Sequence, residues 1–302
     1  MAKREQMPDV VYHYTSMEAL LSILRNKELW ATSISYLNDV SEYKLYIETV
    51  QRRLPAFGER RPNLNLDVFI ENVVLEGELE MSFRRRPFVV SFSRVRDSLT
   101  HWRSYCAAGN GVCIGFRVQS LKGASVKTKN PQPGMIVPAP SFDEVMYFDP
   151  EDPQFTNGSL ELAYRVAGKF LEEDPRLAET MDDPLSSYFR FAVMSHAAFF
   201  KDHAFANECE FRLHVGDILL RQDALCFRTT RTSLVPYVPL VIPDSMPHQT
   251  GPDPFNMWRA VESITVGPTP NMALSMEAVQ GYCMTQGVAT RLIASKVPYR
   301  DW

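Results

Sequence analysis

The sequence predicts an α+β fold, a mixed and mostly antiparallel sheet with helical insertions, and three observations predict it. Strand-like segments recur along the chain, some as hairpin-like neighbours and some with helices between them, without regular strand–helix alternation. Two stretches, at about 43–83 and about 155–201, read as mainly helical and interrupt the strand series. No repeat, low-complexity block or composition shift marks a boundary, so the 302 residues read as one α+β domain, long enough to bury a substantial core.

Val10 to Tyr14 is rich in β-branched and aromatic residues and reads as a strand. Thr15, with Glu18 three places on, has the form of a capping box, and Leu20, Leu21, Ile23 and Leu24 make a helical apolar stripe. Leu29 to Ile34 reads as extended, Asn38-Asp39 as a turn, and Val40 to about Met81 as mainly helical with a polar break at Gly58 to Asn63. A strand is expected at Phe88 to Ser93, then a short helix capped by Asp97 or Ser98 and carrying Trp102 and Tyr105. Gly109-Asn110-Gly111 turns into a strand from Val112 to Val118, and the proline-rich segment Asn130 to Pro140 reads as a connection. Further strands are expected at Val145–Phe148, Glu210–Val215, Leu225–Thr229, Val235–Val241, Ser263–Val266 and Ala289–Ile293. Helices are expected at Glu161–Glu172, Leu185–Lys201 and Met272–Gln286.

A hydrophobic content of 45% and a charged content of 23% are ordinary for a globular protein. The net charge of -4 gives no overall attraction to nucleic acid or anionic lipid, so a nucleic-acid partner would need a local basic patch. The arginine runs Arg52-Arg53, Arg60-Arg61 and Arg84 to Arg86 are the candidates, and solvated helix faces are the plainer reading. Five cysteines without a Cys-x-x-Cys pair suit reduced thiols in the cytoplasm, and the histidine spacings fit no metal site. A polar N-terminus and the lack of a long apolar run argue against a signal sequence or membrane span.

Four clusters carry chemistry: His13-Tyr14-Thr15; Ser91-Phe92-Ser93 with Asp97, His101, Trp102 and Tyr105; Lys201 to Arg212; and Ser295 to Arg300. Polar and aromatic groups at the end of a strand are suited to lining a ligand pocket. Each also has a structural explanation: a satisfied strand-end histidine, a helix cap at Thr15, and a packed Trp102–Tyr105 helix face. Glu208 and Glu210, two apart, read as lying on the same face of a strand, where such a pair is either solvated or raises one pKa for acid–base work, with neutralisation by Arg212 on that face as the structural alternative. Gly111-Val112-Cys113-Ile114-Gly115 has the spacing of a nucleophile elbow but runs on into a strand instead of a helix, which argues against that role.

These clusters resemble, nearly end to end and in order, the bacterial family called domain of unknown function 2971. The matching residues include Tyr12-His13-Tyr14-Thr15-Ser16, Leu29-Trp30-Ala31-Thr32, Ser91-Phe92-Ser93 before Asp97 and Trp102-x-x-Tyr105, and Phe205-x-x-Glu208-x-Glu210-Phe211-Arg212. Leu37-Asn38-Asp39-x-x-Glu42, Gly111-Val112-Cys113-Ile114-Gly115-Phe116, Ile264 to Pro268 and Ser295-x-x-Pro298-Tyr299-Arg300 complete the set. The opening strand and helix are also remotely similar to ADP-ribosyltransferase folds. That resemblance implies NAD as substrate, with His13, Tyr14 and Thr15 at the ribose end. Ser91 or Ser93 with Trp102 and Tyr105 would stand at the nicotinamide side, and Glu210 or Glu208 would be the catalytic carboxylate. It further implies transfer of ADP-ribose to a protein or nucleic-acid acceptor, as toxins and defence effectors do, a setting that admits an inhibitor or antitoxin partner. A binding module that keeps the cleft without turnover, or a nucleic-acid-processing protein, are the alternatives.

Overall fold

The computed structural model describes residues 6–37, 40–66, 87–106, 109–129, 139–173, 182–216, 224–230, 233–244 and 258–299. In chain order the elements are β1 (Val10–Ser16), α1 (Met17–Asn26), β2 (Glu28–Ser33), α2 (Val40–Gly58), β3 (Phe88–Ser93), α3 (Leu99–Tyr105), β4 (Gly111–Arg117), α4 (Val118–Lys122) and β5 (Ser125–Val126). They continue with β6 (Ser141–Glu144), β7 (Met146–Phe148), α5 (Pro153–Glu173), α6 (Pro184–Ala197), β8 (Phe200–Asp202), β9 (Glu210–Val215), β10 (Cys226–Thr229) and β11 (Leu234–Val241). β12 (Val261–Val266), α7 (Met272–Thr285) and β13 (Arg291–Ala294) complete the series.

The expected α+β architecture is present. An 11-stranded sheet runs β10-β11-β2-β3-β1-β4-β12-β13, with β9 on β3, β6 on β9 and β5 on β11. Its ladders are antiparallel apart from β12–β13, and a separate parallel pair joins β7 to β8. Alternation along the strands sorts the two faces. Val11, Val90, Phe92, Ile114, Phe211 and Leu213 go to the main core, with Leu20, Ile23 and Leu24 of α1 packed on them. On the opposite face Tyr14, Trp102, Cys106 and Cys113 form a smaller cluster. A second core, with Tyr46, Leu54, Phe57, Leu160, Phe189 and Phe200, is built by α2, α5, α6 and β8. Among the described residues no helix is long and apolar enough to cross a membrane.

Several local expectations shift. The cap of α1 is Ser16, whose hydroxyl accepts from Ala19 N–H at 3.1 Å, while Thr15 stays within β1. Pairing with β4 persists to Ser16↔Gly111, so the chain cannot turn into the helix one residue sooner. The helix expected to reach Lys201 ends at Ala197, because Phe199 turns back onto His196 and Phe200–Asp202 pairs with β7. Glu208 is not on the strand with Glu210: it ends a 3-10 turn, His203–Glu208, and Cys209 takes a left-handed conformation (φ 45°) before β9 starts. Extended structure after β2 stops at Ser33, and Ile34–Tyr36 forms a 3-10 turn. The expected turn at Asn38-Asp39, the helical reading of 67–81, Arg84 to Arg86, Asn130 to Pro138 and Arg300 lie outside the described residues.

The C-terminal segment locks α3 in place. Asp97 accepts from Trp102 Nε1 at 2.7 Å, Ser295 Oγ at 2.6 Å and Lys296 N–H at 2.9 Å. Gly267, just past β12, lies so close that a Cβ would stand 2.9 Å from the Trp102 ring and 2.9 Å from the Gly111 carbonyl. A Gly267→Ala substitution should therefore overpack this seat and cost about 1–3 kcal/mol in urea unfolding. An unchanged midpoint would show that the Trp102 seat is looser than this contact.

Candidate active site

The cleft is made by the way β3 shares one edge. Along its other edge β3 pairs with β9 over its whole length, Phe88↔Val215 to Ser93↔Glu210. On the shared edge β2 pairs only at Thr32↔Val89 and Ser33↔Phe88, and β1 only at Tyr12↔Ser93. Beyond Tyr12, β1 keeps its partner β4 and leaves β3, while β2 is held by β11 over Glu28–Thr32. The two strands thus splay apart, and α1, which joins them, closes the wedge. Val90, Ser91 and Phe92 form its floor, with no strand partner among the described residues on this side.

His13 stands where the strand partner would be. Its Nδ1 lies 2.9 Å from the Ser91 carbonyl, which can only accept, so Nδ1 carries the proton. Burial lowers the His13 pKa, the Ser91 bond opposes this, and the nearby Arg228 charge lowers it further. The ring is therefore neutral at pH 7, and its Nε2 is a hydrogen-bond acceptor.

The wedge holds a cavity of about 350 Å³, and His13, Tyr14, Thr15, Ser91, Ser93, Tyr105, Glu208 and Glu210 all line it. These residues come from β1, β3, α3, the 3-10 turn before β9, and β9 itself. Trp102 is the exception. It is 1% exposed and packs behind the wall in the Tyr14–Cys113 cluster, with its N–H committed to Asp97.

The acidic pair is part of an ion cluster. Arg212 grips Glu210 through Nε at 2.7 Å and Nη2 at 3.1 Å, and its Nη1 donates to the Ala198 carbonyl at 2.7 Å. Lys201 Nζ bridges Glu208 at 2.7 Å and Glu210 at 3.2 Å. Glu210, Lys201 and Arg212 are each at most 4% exposed. Burial by itself would raise the Glu210 pKa, but Arg212 and then Lys201, with a Ser91 hydrogen bond, hold it at about 2. The raised carboxylate pKa that repulsion with Glu208 would give does not arise at Glu210, because two buried cations outweigh one carboxylate. Tyr147 fixes the strand start by accepting from Glu210 N–H at 2.8 Å.

Other side chains position the walls. The Tyr14 hydroxyl donates to Val95 O at 2.9 Å and accepts from Ser98 N–H at 3.0 Å, while its ring stacks on His101 at 4.7 Å. It thereby carries α3, and with it His101 and Tyr105, over the cavity. The Tyr105 hydroxyl reaches Glu208 at 3.4 Å. Ser93 Oγ donates to the Glu208 carbonyl at 2.7 Å and accepts from Val95 N–H, so its hydroxyl is committed to the loop. Of the two serines, Ser91 is the one that meets the Glu210 carboxylate.

Sequence reasoning did not assign cavity roles to Trp30, His101, Lys201, Arg212 or Arg228, all of which line it. Trp30 and His101 lay inside recognised motifs, and Lys201 and Arg212 inside the acidic cluster. Arg228, alone on a late strand, carried no sequence signal. Among the described residues no group of three or more His, Cys, Asp or Glu side chains is placed to hold a metal ion.

The buried titrations give two acid windows. The pKa of His214 is lowered to about 3, chiefly by burial, and those of His13, His101 and His196 are also lowered. The unfolded chain takes up these protons first, so stability should fall as pH drops below 6.5. Glu210 adds a second loss from pH 4.5 toward 2, worth about 3 kcal/mol in full. Urea titrations from pH 7 to pH 3 should show both. Glu210→Gln should cost about 3–5 kcal/mol at pH 7, because Arg212 and Lys201 stay buried, and should remove the lower window. A wild-type stability flat across that range would contradict this electrostatic description.

A family model described as protein of unknown function (DUF2971) matches residues 101–213, which run from α3 to β9 and so include Tyr105, Lys201, Glu208, Glu210 and Arg212. No curated protein and no solved structure matches the chain. The similarity to the DUF2971 family thus covers residues 101–213, the part of the chain that holds the ion cluster and the helix above the cavity.

Proposed function

We propose that the cleft binds NAD and transfers its ADP-ribosyl group to a macromolecular acceptor. The observation that carries this reading is the convergence of His13, Ser91, Tyr105, Glu208 and Glu210, from separate parts of the chain, on one cavity. A volume of about 350 Å³ is at the small end for ligand sites and suits a nucleoside-sized group, such as the nicotinamide ribose, with the remainder outside.

The chemistry follows from the groups present. In the transfer, the bond between ribose C1′ and the nicotinamide nitrogen breaks, and its electron pair leaves with nicotinamide. Positive charge develops on the ribose, and an ionised carboxylate at Glu210 stabilises it without a prior proton loss. The neutral His13 Nε2 is suited to accept from a ribose hydroxyl, and Tyr105 offers a ring face to the nicotinamide. The acceptor then bonds to C1′ and yields a proton, for which Glu208, at the outer side of the ion cluster, is the placed carboxylate.

One observation favours a second reading, a nucleotide-binding module without turnover. Both Glu210 oxygens already face cations, which weakens the field that the carboxylate offers to a developing positive charge. The two readings separate in one assay. Purified protein with NAD and a set of protein and nucleic-acid acceptors should release nicotinamide, and Glu210→Gln should slow release by about 10²–10³-fold. His13→Ala should weaken NAD binding measured by calorimetry. NAD binding without release of nicotinamide in the presence of any acceptor would select the binding module, and the absence of both would refute the nucleotide reading.

A further inference from the structure

Arg228 differs from the other cations of the cleft. Among the described residues the cavity is lined by Lys201, Arg212 and Arg228 against two carboxylates, Glu208 and Glu210. Lys201 and Arg212 are matched to those carboxylates at 2.7–3.2 Å. Arg228 has no carboxylate partner among the described residues. Its Nη2 donates to Thr32 Oγ1 at 3.0 Å, and its Nε is buried without a hydrogen-bond partner among the described residues. A guanidinium brought partly out of water with an unused donor is costly unless an anion completes it. Among the described residues no neighbouring element supplies that anion.

The surroundings specify the shape of the missing partner. Arg228 and Thr32 lie on adjoining parts of the β2–β11–β10 arm, on the β2 side of the wedge. Trp30 stands two residues before Thr32 on the same face of β2, 6.0 Å from the Arg228 guanidinium carbon. Its ring stacks on Tyr237 of β11 at 4.5 Å and an interplanar angle of 26°. The result is a planar aromatic surface beside a donor fork and a hydroxyl, at the opposite wall from the ion cluster on β9. Guanidinium geometry matches phosphate oxygens, and an aromatic face next to it suits a base or sugar.

We propose that Arg228, Thr32 and Trp30 form an anion subsite that holds the diphosphate of a nucleotide whose sugar enters the cavity. Naming the diphosphate as that of the transferred donor rests on the reading given above. The subsite itself stands on the unmatched guanidinium.

Binding of nicotinamide-free probes tests the subsite apart from turnover. Calorimetric titrations use ADP-ribose, inorganic pyrophosphate and adenosine against wild type, Arg228→Ala, Arg228→Lys and Thr32→Val, with each variant's fold checked by circular dichroism. Wild type should bind ADP-ribose with an affinity that falls as salt rises. Arg228→Ala should weaken it about 10–100-fold and flatten the salt dependence, with Arg228→Lys between the two and adenosine hardly changed. Pyrophosphate binding lost in Arg228→Ala would support the diphosphate assignment directly. Equal ADP-ribose affinity in wild type and in folded Arg228→Ala would overturn the proposal, as would wild type that binds neither phosphate-bearing probe. Nicotinamide release by a folded Arg228→Ala with unchanged NAD affinity would overturn the subsite and leave the transfer reading standing. Arg228-dependent ADP-ribose binding without nicotinamide release would do the reverse.

Discussion

A strand edge can serve one neighbour along its length or two neighbours at its ends, and β3 does the second. The first option would bury every ladder group and leave no space. In the second, β1 and β2 each take a short piece of the edge, and the backbone between them needs another partner because an unsatisfied buried carbonyl is expensive. His13 supplies it by donating to Ser91. The same hydrogen bond that closes this gap in the ladder fixes the histidine tautomer and aims its other nitrogen away from the backbone. α1, capped by Ser16 and packed through Leu20, Ile23 and Leu24, spans the parted strands and sets how wide they stand.

The charged wall works under a related constraint. β9 presents Phe211, Leu213 and Val215 to the main core, so the alternate residues Glu210, Arg212 and His214 must face the other way. There they meet the segment that follows α6, where the Ala198 carbonyl accepts from Arg212 and Lys201 enters from β8. A carboxylate so enclosed stays ionised only because the cations are enclosed with it. The helical insertion that contributes α6 and β8 is thus part of the site's electrostatics, and its second core holds Lys201 in place.

Much of this was legible in the sequence, for identifiable reasons. β3, β4 and β9 have alternating or continuous apolar patterns, and their bounds follow the hydrophobic runs to within a residue. His13, Ser91, Tyr105, Glu208 and Glu210 were recognisable as polar groups placed at the ends of such runs. What was not legible depends on tertiary contacts. The cap at Ser16 instead of Thr15 is decided by pairing with β4, and the left-handed Cys209 separates Glu208 from the strand. The spacing of Trp102 and Tyr105 reads as a packed helix face while the family resemblance puts Trp102 beside the ligand, and the contacts with Asp97 and Gly267 decide for packing. The ionisation of Glu210 required knowing that Arg212 and Lys201 both reach it. Arg228 has no local pattern at all, since its meaning comes from having no carboxylate partner among the described residues.

Hydrogen exchange followed by mass spectrometry, with and without NAD, tests most directly whether the parted strands form one nucleotide site. Residues 10–16, 28–33, 88–93 and 208–212 are far apart in sequence, and each contributes to the lining of the cleft. They should gain protection together on addition of NAD, while α7 and the far edge at β13 stay unchanged. Protection confined to one of these segments, or none at saturating NAD, would contradict a nucleotide site in this cleft.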